Sequence, residues 1–401
     1  MSMRRVRLGE VCDSDRVIVD PLSELAKRLP YLGLEQIESG TGRINRVQTA
    51  EGIEEGISST FRFDARHVLY GKLRPYLNKV ALPESEGRCT TEIIPLLPGE
   101  LIDREYLAMV LRSDAFVAAG QHSTAGSRMP RANLDELFGF EFDLPAKDQQ
   151  REFVQQMRAK VNSIEAARSA AQAQLKDASL LIGASLKEQF QHTVPIRTIN
   201  GVGSRQGWHV HRLPDLARIE SGHTPSRRHP EWWGGKIPWL ALPDIRKLHG
   251  KFAYETTEYT NDAGIANSSA RMLPVGTVCV SRTASIGFVT ILGKPMATSQ
   301  DFCNWICDPD KLDPEFLMYA FMASREALLE LGSGAVHKTI YMPTIQSFHV
   351  CAPDSSEQRR IARTLRERLA AAESLTAGLK ARLADIERLP QRLLAAAFGS
   401  A

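Results

Sequence analysis

Two stretches of this chain space their apolar residues three or four positions apart. Residues 148–190 place Phe153, Met157, Val161, Ile164, Leu175, Ile182, Leu186 and Phe190 on one stripe, and residues 355–398 do the same with Ile361, Leu365, Ala372, Leu375, Leu379 and Ile386. That period predicts two long α-helices. The second opens on Ser355-Ser356-Glu357-Gln358, a Ser-x-x-Gln capping box, and Pro390 predicts a kink near its end. The stripes are narrow and their flanks are rich in Ala, Arg, Glu and Gln, which is how a coiled-coil seam reads. A helix of about 43 residues at ~1.5 Å each is a rod of roughly 65 Å. A rod with one apolar stripe needs a partner, and each of these two is the obvious partner of the other. The alternative, in which each helix packs on its own globular part, sits badly with the usual helix length of about three or four turns.

Elsewhere the pattern is shorter. Runs such as "HVLYGKL", "TVCVSR" and "FVTIL" are rich in β-formers and alternate with glycine and proline turns. Residues 103–119 and 313–331 each begin after an Asp and carry apolar residues at helical spacing. The expected fold class is therefore mixed α/β (α+β).

The chain is also written twice. At a shift of 208, "YLGLEQI" (31–37) falls on "WLALPDI" (239–245), Gly126 on Gly334, Pro145 on Pro353, Gln150-Arg151 on Gln358-Arg359, and Phe190 on Phe398. At a shift of 210, "IDREYLAMVLRSDAF" (102–116) falls on "LDPEFLMYAFMASRE" (312–326). A shift held within two residues across most of each half marks an internal tandem duplication. The boundaries it predicts are a first globular domain at 1–147, a first long helix at 148–192, a linker at 193–206, a second globular domain at 207–354 and a second long helix at 355–401. Packed as an antiparallel coiled coil, the helices would separate two similar globular domains related by a pseudo-twofold axis. Two such domains at a fixed spacing suit a linear partner with two segments, as half-sites on DNA are read by dimers.

With 401 residues, 43% hydrophobic and 24% charged, the chain is long enough for two or three domains with cores of their own. Its start, "MSMRRVRLGEVCDSDR", has basic residues with no apolar stretch behind them, so no secretory leader is expected. No run approaches the roughly 20 apolar residues of a membrane helix. The six cysteines are scattered, and only Cys303 and Cys307 lie close together. Without further ligands nearby they read as buried reduced thiols of a cytoplasmic protein, with no metal site. The net charge of +3 announces no polyanion partner, but its distribution does more. Residues 66–79 carry Arg66, Lys72, Arg74 and Lys79 with no acid, and residues 204–250 hold eight Lys or Arg against four Asp or Glu. Local basic patches of this kind fit a polyanion footprint, and solvated loops also produce them.

Catalytic equipment is hard to find. "GFVTILGKP" (287–295) has one residue too many between its glycines for a phosphate loop, and Pro295 stands where Ser or Thr should bind magnesium. No Gly-x-Gly-x-x-Gly opens a helix, and no Asn-Pro-Pro-Phe/Tyr tetrapeptide of the amino-methyltransferase type occurs. Pro243-Asp244 lacks the acid-x-Lys that would complete a nuclease metal site, and His209 and His211 lack a third ligand. The expectation is a non-catalytic chain with no cofactor.

The motifs then carry a resemblance. "ESGHTPSRRHPEWWGGKIPWL" (220–240), "VLYGKLRPYLNKV" (68–80), "GSGAVHKTI" (332–340) and the two helix openings "LPAKDQQREF" and "APDSSEQRRI" resemble, in this order, the specificity subunit of type I DNA restriction-modification enzymes. The resemblance covers nearly the whole chain. It departs in the first half, which lacks the Gly-x-Thr-Pro…Trp-Gly-Gly stretch and has "IESGTGRI" (37–44) in a comparable region. The resemblance implies two target-recognition domains that each read one part of a split, asymmetric sequence in double-stranded DNA, with the helices as a ruler between them. It also implies partner subunits: two modification methyltransferase subunits that bind S-adenosylmethionine and methylate adenine, and ATP-driven restriction subunits.

A motif shared by relatives with different targets is a poor base reader. Trp239 and Pro238 are therefore assigned to the core, aligned with Tyr31, and Gly234-Gly235 to a turn. Arg227, Arg228 and Lys236 are expected on phosphates, which fix register without reading sequence; Trp232 and Trp233 are open between core and partner surface, with core favoured. Base readers should be donors on loops that differ between the halves. In the first half these are Lys72, Arg74, Lys79, Gln121, Arg128 and Arg131; in the second they are Arg282, Ser285, His337 and Lys338, with Lys251 and Arg271 as outsiders. For each, a solvated surface charge is the competing reading. For the whole chain, the competitors are a coiled-coil scaffold joining two protein-binding modules and an enzyme with an unrecognised site.

Overall fold

The computed structural model describes residues 3–20, 22–45, 59–124, 129–333 and 338–398. The chain divides into two compact units, Met1–Ala173 together with Leu379–Ala401, and Gln174–Gly378. Both cuts fall inside the long helices, which span Lys147–Gln189 and Ser355–Phe398. Each unit thus owns one globular domain, one part of the first helix and one part of the second. The first helix leaves the first unit for the second unit and the second helix returns, so the two are antiparallel within each. In the first unit Phe153, near the start of one helix, meets Phe398 at the end of the other, with ring centroids 5.5 Å apart. Fifteen residues further on, Arg168 lies 3.9 Å from Glu387. Among the described residues no helix is long and apolar enough to cross a membrane.

The buried stripe of the second helix is nearly the one the apolar spacing predicts; on the first helix Phe153, Ile164, Leu175 and Ile182 are only half-buried, and Ala171 and Ala178, outside the predicted stripe, are buried. Met157, Ala171, Ala178, Leu186 and Phe190 are buried on the first helix, and Ile361, Leu365, Leu369, Ala372, Leu379 and Ile386 on the second. Leu375 does not join it: it is 49% exposed, and half-buried Thr376 takes the position instead. Spacings of three-then-four and four-then-three both connect Ala372 to Leu379, and the coiled-coil geometry takes the latter. Val161, at 37% exposure, also lies outside the sealed part. The second helix continues through Pro390 to Phe398.

In the first unit one antiparallel sheet runs in the order Cys12–Ser14, Ile93–Pro98, Val68–Gly71, Val80–Ala81. Helices Arg104–Arg112 and Asp114–His122 supply Leu107, Leu111 and Phe116 to the core that also holds Tyr70 and Ile94. In the second unit the equivalent sheet runs Ala217–Ser221, Phe302–Cys307, Val278–Ser281, Val289–Leu292, with Phe252–Ala253 as an added parallel edge. A second sheet in each unit contains the equivalent parallel pair: Tyr31–Leu32 against Arg88 and Cys89, and Trp239–Leu240 against Ala297 and Thr298. Residues 193–206, expected as a linker, are not plain connection, because Ile196–Thr198 joins Phe348–Ala352 as a strand of the second unit.

The helix openings repeat to the atom. The Gln150 carboxamide accepts from the Asp103 N–H (2.7 Å) and donates to the Leu101 and Pro145 carbonyls (3.0 and 2.8 Å). Gln358 accepts from the Asp313 N–H (2.9 Å) and donates to Lys311 and Pro353 (3.1 and 2.9 Å). Both side chains are buried, and each spends its acceptor and both donors on backbone that would otherwise be unsatisfied. Asp103 and Asp313 in turn cap the domain helices that follow them. The helix ends are exchanged: Phe398 packs on Tyr106 of the first domain and Phe190 on Phe316 of the second, at 5.9 and 5.8 Å.

Candidate nucleic-acid interface

The strand Val68–Gly71 runs into a turn that brings most of the first-half candidates together. The Lys72 N–H donates to the Glu92 carbonyl, the Ala132 N–H donates to the Lys72 carbonyl, and the Arg74 N–H donates to the Pro130 carbonyl at 2.8 Å. Arg74 sits at φ 52°, ψ 65° and Asn78 at φ 48°, so left-handed residues bracket the short helix Pro75–Leu77. Left-handed backbone costs a non-glycine residue about 1–2 kcal/mol, and a residue before proline is normally extended. Pro75 is buried beneath the turn; a Cβ added to Gly120 would stand 3.2 Å from it, which sets Gln121 close by. Arg74, Gln121 and Arg131 are exposed here, as are Tyr76 (51%) and Met129 (48%), which composition did not flag.

Not all of these cations are free. Arg131 forks onto the Glu92 carboxylate at 2.9 and 2.8 Å, and Lys79 donates to the Leu34 carbonyl at 2.5 Å. Lys72 and Arg74 make no side-chain hydrogen bond or ion pair among the described residues. Arg128 lies outside the described residues.

The second half repeats the frame. A shift of 210 carries Val68–Gly71 onto Val278–Ser281. The Ile340 N–H donates to the Arg282 carbonyl and the Ala284 N–H to the Lys338 carbonyl at 3.1 Å. Ala284 has φ 49°, matching Arg74. Arg282 donates through Nε to the Gln300 carbonyl at 3.2 Å, and Lys338 is exposed with no side-chain partner among the described residues. Ser285 is turned inward: it is 5% exposed and its hydroxyl accepts twice from Arg246, at 2.9 and 2.7 Å. That hydroxyl holds the loop to the helix Leu242–Lys247 and is not presented to a partner. His337 lies outside the described residues. The outsiders are paired, Lys251 with Glu373 (3.0 Å) and Arg271 with Glu220 (2.8 Å).

The stretch 220–240 is a clip with three exposed cations, two of them without a side-chain partner among the described residues. Trp239 is 3% exposed and donates through Nε1 to the His223 carbonyl, and Pro238 is buried beside it. Trp233 meets Trp239 edge to face at 4.9 Å, and the Arg227 guanidinium lies 3.7 Å above the Trp233 ring. Arg227 also forks onto Glu258 at 2.6 and 2.7 Å, which holds that carboxyl below the usual range. Arg227 is therefore spent on the clip, whereas Arg228 and Lys236 are exposed without side-chain partners among the described residues. Half-buried Trp232 stacks on His229 at 4.1 Å. Gly234 turns at φ 76°, and a Cβ on Gly235 would stand 2.5 Å from the Thr260 carbonyl, so both glycines are required. The first-half "IESGTGRI" is no counterpart of this stretch: Ile37 lies in the core and bridges Ile44, while the strand that pairs as Ala217–Ser221 does is Cys12–Ser14. Asp244 accepts from the backbone and hydroxyl of Thr257 and from the Ala241 N–H, as a structural cap.

Residues 205–384 match the family model described as the type I restriction modification DNA specificity domain. The chain is similar in sequence to type I specificity subunits. It is 29% identical over 160 residues to the MjaIX specificity subunit of Methanocaldococcus jannaschii, covering 39% of this chain and 37% of that one. It is 32% identical over 132 residues to the HindI specificity subunit of Haemophilus influenzae, covering 32% and 28%. The alignments thus span about a third of these relatives' own lengths. Whole-chain likeness comes from structure. The HsdS subunit of Thermoanaerobacter tengcongensis superposes with a TM-score of 0.65 at 20% identity, over 99% of this chain and 96% of that one. A chain from a type I R-M system, described for its complex assembly and conformational transition, gives 0.75 at 20% identity over 99% and 98%. At that identity the superpositions establish a shared fold.

Proposed function

We propose that this chain is a non-catalytic, sequence-specific DNA-binding subunit of a type I restriction-modification complex. Each domain would read one part of a split, asymmetric target in double-stranded DNA, and partner subunits would methylate adenine or cut. The partners are two modification methyltransferase subunits and restriction ATPase/nuclease subunits, acting in the cytoplasm. The observation that carries this reading is the repeated loop corner, one in each unit, which offers unpaired cations (Lys72 and Arg74, then Lys338) on a backbone frame held by the same hydrogen bonds. Two copies of one edge with different side chains suit two unlike segments of one linear polyanion. Relationship to the specificity subunits supports the same reading.

The test is the salt dependence of DNA binding by this chain with its modification subunit. Neutralising several phosphates makes log K fall linearly with log salt, by about one unit of slope per contact. A steep slope together with preference for one sequence supports the proposal. A flat slope, with protein partners retained, would leave a scaffold joining two protein-binding modules.

A further inference from the structure

The two loop corners share a backbone but not a side chain, and that contrast separates phosphate contacts from base contacts. Phosphates have the same chemistry under any sequence, so a residue that grips them serves both halves alike. A base reader has to change when the segment changes. At the corner, Lys72 corresponds to Arg282: both are cations whose carbonyls accept from Ala132 and Ile340, the same register. The residue two further on is Arg74 in one half and Ala284 in the other, at φ 52° and 49°. We propose that Arg74 reads a guanine in the segment recognised by the first domain, and that this left-handed corner is where the two domains part in specificity. The inference rests on the DNA-recognition reading above and deepens it.

Three features single out Arg74. Its backbone asks for glycine or asparagine, the residue type found at Asn78 on the other side of the turn, yet the position holds an arginine followed by a proline. Strain of this kind persists where surroundings over-determine the backbone, and it concentrates at functional positions. Packing does not explain the side chain, which is exposed and without a partner among the described residues, while neighbouring Arg131 and Lys79 are committed to Glu92 and Leu34. Finally, the guanidinium fork matches the O6 and N7 acceptors of guanine in the major groove. Ala284 offers only a methyl group at the same place, which suits a thymine methyl or no contact.

The experiment maps methylated adenines in cells carrying the modification subunit and either wild-type chain, Arg74→Gly, Lys72→Ala or Ala284→Arg. Glycine accepts the positive φ without strain, so Arg74→Gly should melt with wild type by circular dichroism. In that variant one G·C position of one segment should lose its preference by about five- to hundredfold, with the other segment unchanged. Lys72→Ala should lower methylation at all sites while leaving the motif intact. Ala284→Arg should alter the other segment only. An intact motif in Arg74→Gly, or a uniform loss at every site, would make Arg74 a phosphate contact and overturn the proposal. A wild-type complex that yields no split motif would instead overturn the DNA-recognition reading itself.

Discussion

The start of each long helix and the left-handed loop corner of each domain are both duplicated, but to different depths. At the helix starts, Gln150 and Gln358 make the same three backbone bonds, and Glu105–Arg158 and Glu315–Arg366 link helix to domain in both halves. At the corners the backbone is kept and these side chains are not, Arg74 corresponding to Ala284 and Arg131, bridged to Leu73, corresponding to Thr339, bridged to Thr283. Between its flanking strands, the tryptophan clip of the stretch 220–240 goes further and has no counterpart among the described residues of the first half. A joint that sets the angle between a domain and its helix has one mechanical task and no reason to differ. Under the proposed function, an edge that meets a segment of the partner would have a different task in each half.

The largest effect that would sharpen this contrast lies at the joints. Gln150→Leu and Gln358→Leu should each destabilise their unit by about 2–4 kcal/mol, because an N–H and two carbonyls lose buried partners. The two losses should be equal, read as the shift in denaturation midpoint. A joint whose loss is negligible would not be the repeated structural element described here.

Next is acid sensitivity, confined to one half. Burial pushes the His249 imidazole down to about 4, Arg325 adding to the effect, while its Nδ1 accepts from the Val289 N–H beside the Phe288 ring. The folded protein therefore resists protonation that the unfolded chain accepts near pH 6.5. Its contribution is complete above about pH 6.5 and is lost as pH falls towards 4, on the order of 3 kcal/mol. The first half has Thr41 at the shifted position. His249→Gln should flatten the acid limb of melting between pH 7 and 4.5, and an unchanged limb would remove this histidine from the account.

Arg227→Ala should cost about 1 kcal/mol, the worth of a half-exposed cation–π contact and an ion pair, and should move the unfolding of the second unit only. Smallest of all, Arg74→Gly and Ala284→Gly should leave thermal stability within about 0.5 kcal/mol, relief of the left-handed backbone offsetting the freer unfolded chain. A large loss at either would mean that the corner is a packing element and not a presenting one.

Much of this was legible in the sequence. The constant shift revealed the duplication, and apolar spacing placed both helices, because these signals accumulate over many residues. Trp239 matched Tyr31, and each lies in the equivalent parallel pair of strands of its own unit. What escaped depends on partners distant in sequence or on local geometry. Arg227 looked free because Glu258 stands 31 residues away, and Ser285 looked presented because Arg246 is 39 residues away. The left-handed corner at Arg74 was hidden by Pro75, which by itself predicts an extended residue. "IESGTGRI" at 37–44 was placed in a comparable region to the tryptophan clip, although Ile37 bridges Ile44 and the strand equivalent to Ala217–Ser221 is Cys12–Ser14.

The central claim is that two copies of one scaffold read two unlike segments. The most direct measurement is to express the chain with its modification subunit and map methylated adenines across the host genome. The account predicts a motif of two unlike parts at a fixed gap, absent when the chain is absent. A methylation pattern identical with and without the chain would contradict it.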